Sequence, residues 1–179
     1  MTQLSNKLLT KTGSDHFQTP PHALKPLYPY LKKDWIIWEP ACGKGNLVRD
    51  LRQNNVKVMG SDKYIIPNND FDNCWYLDFL TNILNENFDC IITNPPFSCK
   101  NQFIERCYKL GKPFALLLPL TALETKRRQT QWKQGLELIL FSKRINFETP
   151  NNVKSSAWFP TAWFTYGLNI GKQITFYEI

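Results

Sequence analysis

The stretch Trp35-Ile36-Ile37-Trp38-Glu39-Pro40-Ala41-Cys42-Gly43-Lys44-Gly45-Asn46 begins as a short apolar strand and breaks into a glycine-bearing turn. Residues 47–54 then follow a helical pattern. Strand, glycine turn and helix in that order let a ligand come close to the backbone. The spacing here is Gly-x-Gly, without the third glycine of the dinucleotide fingerprint, so a nicotinamide cofactor fits poorly and the pair alone selects no ligand.

Downstream, Val56-Lys57-Val58-Met59-Gly60-Ser61-Asp62 reads as a second strand ending in a carboxylate. Asp62 stands roughly twenty residues past the glycine turn, where an acid can accept hydrogen bonds from a ribose diol. Taken alone, it reads equally well as a turn residue. Cys74-Trp75-Tyr76-Leu77 is a third strand, leading into Asp78-Phe79-Leu80, and the residues between, 64–73, form an Asn-, Asp- and Pro-rich loop. The next strand lies in Phe88-Asp89-Cys90-Ile91-Ile92-Thr93 and stops at Asn94-Pro95-Pro96-Phe97. Two consecutive prolines remove two backbone donors and fix two φ angles. The position before a proline is driven into an extended conformation. A stiff corner results, carrying the Asn94 carboxamide and the Phe97 ring. Asn-Pro is also an ordinary turn signal.

Upstream, residues 1–14 are polar and read as a flexible N-terminal segment. Thr19-Pro20-Pro21 looks like a helix start, with Thr19 as cap, Pro20 in the first turn, and Ala23, Leu24, Leu27 and Leu31 along one face. Pro26 and Pro29 limit its length. Past the corner, residues 101–110 read as a helix stopped by Gly111, and residues 114–119 as a fully buried strand. Residues 121–133 carry Lys126, Arg127, Arg128 and Lys133, either a solvated helix face or a phosphate-contacting surface. Residues 136–141 form a further strand, Lys143-Arg144-Ile145-Asn146-Phe147 is basic and aromatic, and residues 151–156 are a polar loop. The stretches 157–166 and 173–177 read as a terminal hairpin around Gly171, with Trp158, Phe159 and Trp163 as its packing. Strands alternating with helices, then a hairpin, predict an α/β, three-layer fold with a mostly parallel sheet and an antiparallel edge.

The 179 residues suit one domain with a sizeable core. A net charge of +7 points to a polyanionic partner, nucleic acid first. The five cysteines contain no Cys-x-x-Cys pair and there are two histidines, so no metal site is expected. The same cysteine usage predicts a reduced, cytoplasmic protein. No apolar run reaches membrane-spanning length, and no membrane partner is expected.

Four pieces stand in order: Thr19-Pro20-Pro21, Glu39-Pro40-Ala41-Cys42-Gly43-Lys44-Gly45, Asp78-Phe79-Leu80 and Asn94-Pro95-Pro96-Phe97. The set resembles the S-adenosylmethionine-dependent adenine-N6 DNA methyltransferases, whose hallmark is Asp/Asn-Pro-Pro-aromatic, in the gamma-like order with the cofactor region first. The likeness is closest over residues 17–97 and looser over residues 114–179. It implies a Rossmann-like class I methyltransferase fold with a seven-stranded sheet whose last strand is antiparallel. It implies S-adenosyl-L-methionine as cofactor, with Thr19 near the methionine carboxylate and Glu39, Pro40, Ala41, Gly43 and Gly45 around the methionine part. Asp62 would take the ribose hydroxyls, Asp78 the adenine amino group, and Phe79 would lie against that adenine. Asn94, Pro95, Pro96 and Phe97 would be the catalytic corner, and Phe97 and Phe147 the stacking pair for a base flipped out of DNA.

On this reading residues 15–179 are a single catalytic domain with no separate target-recognition domain. Short loops at 64–73 and 149–156 then read the target, or recognition is lax, or a protein partner supplies it. Three other functions stay open. An adenine methyltransferase acting on RNA shares the corner and cofactor. A protein glutamine methyltransferase also uses Asn-Pro-Pro-aromatic, but only about thirty residues precede the first strand here, too few for that family's N-terminal helical domain. A non-catalytic nucleic-acid binder is opposed by the intact acidic and glycine positions.

Overall fold

The computed structural model describes residues 18–64, 74–82, 84, 87–148, 154–156 and 159–179. The expected flexible segment 1–14, all but Tyr64 of the 64–73 loop, most of the 149–156 loop and Trp158 lie outside them. The central layer is an eight-stranded sheet. Its strands are β1 (Ile36–Glu39), β2 (Lys57–Asp62), β3 (Cys74–Tyr76), β4 (Cys90–Thr93), β5 (Phe114–Pro119), β6 (Glu137–Phe141), β9 (Thr161–Tyr166) and β10 (Ile174–Tyr177). A separate antiparallel pair joins β7 (Asn146–Glu148) to β8 (Lys154–Ser156). The helices are α1 (Asn46–Gln53), α2 (Lys100–Leu110) and α3 (Lys126–Lys133).

Across the sheet the order is β10-β6-β9-β5-β4-β1-β2-β3. The chain builds outward from β1 through β2 to β3, then returns to place β4 on the other side of β1. Trp38 of β1 lies opposite Ile91 of β4 in parallel register, so both strands deliver their carboxyl ends to the same edge. Such a reversal of strand order opens a crevice above the strand ends. Glu39 and Thr93 end the two strands that flank it.

Period-two alternation divides the strand side chains between two faces. Ile37, Cys90, Ile92, Ala115, Leu117, Ile139 and Trp163 pack with Leu47 and Leu51 of α1 and with Leu24 and Leu27. Trp38, Ile91, Leu116, Leu118, Leu138 and Phe164 pack with Phe103, Ile104 and Cys107 of α2. This is the expected three-layer α/β arrangement with a mostly parallel sheet.

Three local expectations are corrected. The segment after Thr19 is not a helix capped by it but two 3-10 turns, Pro21–Leu24 and Tyr28–Tyr30, the first capped by Pro20 without a side-chain hydrogen bond. Pro26 and Pro29 lack the donors that an α-helix would need there. Ala23, Leu24 and Leu27 are nonetheless buried, and the Trp163 indole donates to the Ala23 carbonyl at 2.7 Å.

The C-terminal strands do not form a hairpin. β9 runs antiparallel between β5 and β6, and β10 lies beyond β6, parallel to it. The antiparallel strand is therefore interior, and β10 adds an eighth strand to the expected seven. Gly167 and Gly171, at φ of +69° and +87°, turn the chain across the amino-terminal end of β6. The Glu137 carboxylate fastens that crossing by accepting from the amides of Ile170 and Gly171, each at 3.1 Å.

The basic stretch is only partly solvated. Thr125 caps α3 by accepting from the Arg128 amide at 3.3 Å. Arg128 itself is 1% exposed, donating to the Ala122 carbonyl at 2.9 Å, Gln131 Oε1 at 2.5 Å and Asn101 Oδ1 at 2.6 Å. It ties the start of α2 to α3 and is unavailable to phosphate, whereas Lys126, Arg127 and Lys133 are exposed.

Candidate cofactor and catalytic site

The glycine turn is held by backbone groups that need its glycines. Pro40 ends β1, and the Cys42 amide donates to the Ser61 carbonyl of β2 at 3.0 Å. Gly43 and Gly45 adopt φ of +50° and +80°, a region that side chains disfavour. A Cβ at Gly43 would sit 2.9 Å from Gln18 Nε2. The Gly43 amide donates to Asp62 Oδ2 at 2.9 Å, and the Tyr64 amide to Asp62 Oδ1 at 2.9 Å. Asp62 thus fixes the turn from both carboxylate oxygens.

Beneath the turn lies Glu39, fully buried. Its Oε1 accepts from the Ala41 amide at 3.2 Å, while Oε2 has no hydrogen-bond partner in the protein. Burial pushes the carboxyl up to about 8. The nearby Thr93 hydroxyl and the Ala41 amide pull the other way, and the Asp62 charge adds to the rise. A neutral acid at the floor of a crevice is poised to ionise when a cation arrives beside it.

A small cleft, about 20 Å³ in volume and open to solvent on one side, runs over this floor. Gln18, Thr19, Glu39, Ala41, Cys42 and Asn94 line it, with Asn46 and Leu47 from α1. Residues from Thr19 to Asn94, far apart in sequence, therefore share one space. Gln18 and Asn46 carried no sequence signal beyond adjacency to the Thr-Pro-Pro and glycine motifs.

Asp78 stands farther along the strand ends. The Leu77 amide donates to the Asp62 carbonyl at 2.9 Å, and Asp78 Oδ1 accepts from the Leu80 amide at 2.9 Å. Phe79 is 1% exposed. Its ring meets Trp38 edge-on at 5.2 Å and Phe103 at 4.7 Å, with the Arg106 guanidinium 5.5 Å from its centre. In this structure Phe79 is a core ring and lies outside the cleft that holds Thr19, Glu39 and Asn94.

At the end of β4, the Asn94 carboxamide oxygen is buried at the cleft wall, and Pro95 is buried behind it. Pro96 is extended, at φ −53° and ψ 125°, and caps a 3-10 turn, Phe97–Cys99. The Phe97 ring meets Phe147 of β7 edge-on at 6.4 Å and 81°. It also meets Phe159 at 5.4 Å and 74°. Phe97 and Phe147, the two rings expected from sequence to take opposite faces of a base, here meet each other. Phe159, read as hairpin packing, instead completes a cluster of three rings beside the corner. No local pattern distinguishes it from its neighbour Trp163, which is buried in the core.

Among the described residues no group of three or more His, Cys, Asp or Glu side chains is placed to hold a metal ion. Nor is any helix among them long and apolar enough to cross a membrane.

No protein-family model matches the sequence, and no curated protein matches it. Solved structures do match the fold. A provisionally named RNA methyltransferase from Pyrococcus horikoshii superposes with a TM-score of 0.59 at 12% identity, over 80% of this chain and 79% of its own. The modification subunit of a provisionally named type I restriction enzyme from Vibrio vulnificus YJ016 gives 0.58 at 14%, over 99% of this chain and 50% of its own. The 23S rRNA methyltransferase ErmE gives 0.55 at 14%, over 81% and 65%. At such identities the likeness is one of fold, and that fold is the Rossmann-like class I fold of S-adenosylmethionine-dependent methyltransferases.

Proposed function

We propose that this protein transfers a methyl group from S-adenosyl-L-methionine to the exocyclic amine of adenine in DNA. The observation that carries the reading is the meeting of the Asn94 carboxamide with Thr19, Glu39 and Ala41 in one cleft at the sheet's switch point. The residues suit the cofactor. Glu39 offers a buried oxygen without a partner, matched to the ammonium of a methionine moiety. The turn brings Ala41 and Cys42 to the cleft, and Gly43 packs bare backbone against Gln18, which also lines it. The cleft is more than tenfold smaller than the roughly 300–1,000 Å³ of a complete small-molecule site, so it must open to admit the cofactor. It marks where the methionine end would enter, with Asp62 and Asp78 at the ends of neighbouring strands for the nucleoside.

When bound, S-adenosylmethionine supplies an electrophilic methyl on a sulfonium. The protein's part is to make a poor nucleophile competent. The adenine amine is weak because its lone pair is delocalised into the ring. Asn94 Oδ1 and the Pro95 carbonyl each accept one amine hydrogen, which bends the nitrogen toward tetrahedral geometry. The same two oxygens stabilise positive charge as it develops there. Pro95 and Pro96 hold that geometry rigid before substrate arrives. Alignment of this kind supplies up to about 7–11 kcal/mol of the barrier.

A base stacked in duplex must be flipped out, at a cost of a few kcal/mol. Stacking on the Phe97 ring returns about 1–3 kcal/mol. Phe147 and Phe159 stand edge-on to Phe97, so the base takes one face of Phe97 and displaces a neighbouring ring.

Adenine in RNA is the second reading, favoured by the fold likeness to ErmE. Labelled methyl transfer onto duplex DNA, measured beside tRNA and rRNA, separates the two. Preference for DNA supports the proposal, and preference for either RNA replaces it with the second reading.

A further inference from the structure

Cys42 lies within the glycine turn, and Cys74 begins the edge strand β3. Their sulfurs are 3.0 Å apart, inside ordinary sulfur–sulfur contact, and both cysteines are free. The geometry is prepared by Gly60. It pairs with Cys74 in the β2–β3 register, and a Cβ there would lie 3.4 Å from Cys42 Cβ and 3.1 Å from Val48 Cγ2. With no side chain at Gly60, Cys42 reaches across β2 to the neighbouring strand. Its own amide, bonded to the Ser61 carbonyl, fixes the approach.

From this juxtaposition we propose that Cys42 and Cys74 form a reversible disulfide that clamps the cofactor turn to the edge strand. Cys74 is the partly buried, more accessible partner, and Cys42 is 6% exposed. The Cys42 thiol donates toward Cys74 and the Arg52 charge favours its anion, which together lower the Cys74 pKa, while Cys42 is held as a thiol. Cys74 thiolate attacks a low-molecular-weight disulfide such as oxidised glutathione and expels one thiolate. Cys42 then passes its proton to that thiolate and attacks Cys74 Sγ, expelling the second small thiolate, which takes up the proton that Cys74 had released to solvent. Two protein thiols and one small disulfide become one protein disulfide and two small thiols.

The clamp acts on the cleft wall itself, since Ala41 and Cys42 line it. The cleft, about 20 Å³, must widen to admit a cofactor, and a bond from Cys42 to β3 opposes that movement. The oxidised protein therefore binds S-adenosylmethionine at least about fivefold more weakly. This consequence rests on the proposed function; formation of the bond does not.

The full chain is incubated with oxidised glutathione, alkylated, digested and mapped by mass. Expected are the loss of two of the five free thiols, a linked Cys42–Cys74 peptide, and reversal by dithiothreitol. The melting temperature rises by about 5 °C or more, as a cross-link closing a loop of this length predicts. Cys74→Ser and Cys42→Ser each abolish the linked peptide and the rise. Five alkylated thiols, a glutathione adduct on Cys74 that never resolves, or a rise that persists in Cys74→Ser overturns the pair. Equal cofactor affinity in both redox forms overturns the clamp. A linked peptide in a protein that binds no S-adenosylmethionine in either form supports the pair and overturns the proposed function.

Discussion

Replacing Glu39 with Gln should stabilise the free protein and weaken its hold on cofactor. In the folded chain this carboxyl titrates near 8, against 4.5 for the ordinary group. A raised carboxyl pKa means that the folded state keeps a proton which the unfolded state has lost. Stability therefore declines as pH climbs from 4.5 toward 8, then levels off. The full span corresponds to about 4–5 kcal/mol, of which about 3 kcal/mol has accrued by pH 7.

Gln cannot ionise, so the variant escapes this loss. Urea unfolding of both proteins from pH 5 to 8.5 reads the effect directly. The variant's advantage should be small at pH 5 and grow to about 1–3 kcal/mol at pH 7, the lower figure allowing for relaxation around the site. Titration calorimetry should show cofactor affinity reduced at least about tenfold, since a neutral amide cannot pair with a cation. An advantage that stays flat with pH, or a variant less stable than wild type at pH 8, would refute the account of Glu39.

Asn94→Ala should leave cofactor affinity near wild type while single-turnover methyl transfer falls at least about a hundredfold; retained activity would remove Asn94 from the catalytic role. Asp62→Ala strips the acceptor from the Gly43 and Tyr64 amides, so urea unfolding should show a loss of about 1–3 kcal/mol together with weaker cofactor binding. Arg128→Met severs three hydrogen bonds between α2, α3 and the turn before α3. It should cost about 2–4 kcal/mol in stability yet leave the salt dependence of nucleic-acid binding unchanged. Lys143 and Arg144, exposed just before β7, are the opposite case: changing both to Ala should flatten that salt dependence with little change in stability.

The parts of the fold legible in the sequence are those whose signals are local. β5 is an unbroken apolar run with every residue buried, and Gly111, at φ +66°, stops α2 where a left-handed residue must stand. The corner at Asn94-Pro95-Pro96 is dictated by proline's own geometry. The route of the C-terminus was not legible. Gly171 marks a reversal of direction, but only tertiary pairing decides whether the strands on either side meet or straddle a third. Here the Glu137 carboxylate and the apolar face of β6 favour straddling. Arg128 shows the same limit for charge: a basic run states composition, and burial depends on Asn101 and Ala122 arriving from elsewhere. Cys42 and Cys74, 32 positions apart, match no spacing motif and meet only because β3 lies beside β2. Within the cleft the sequence named Thr19, Glu39, Ala41 and Asn94, whereas Phe79 is a core ring and Phe159 joins the aromatic cluster.

The central claim is that the Asn94 corner presents an adenine amine to a sulfonium methyl. Its most direct test is to incubate the protein with adenine-containing duplex and labelled S-adenosylmethionine, digest the product to nucleosides, and weigh them. The account predicts N6-methyladenine from wild type and none from Asn94→Ala. A labelled methyl on any other atom, or wild-type and variant products in equal yield, would contradict it.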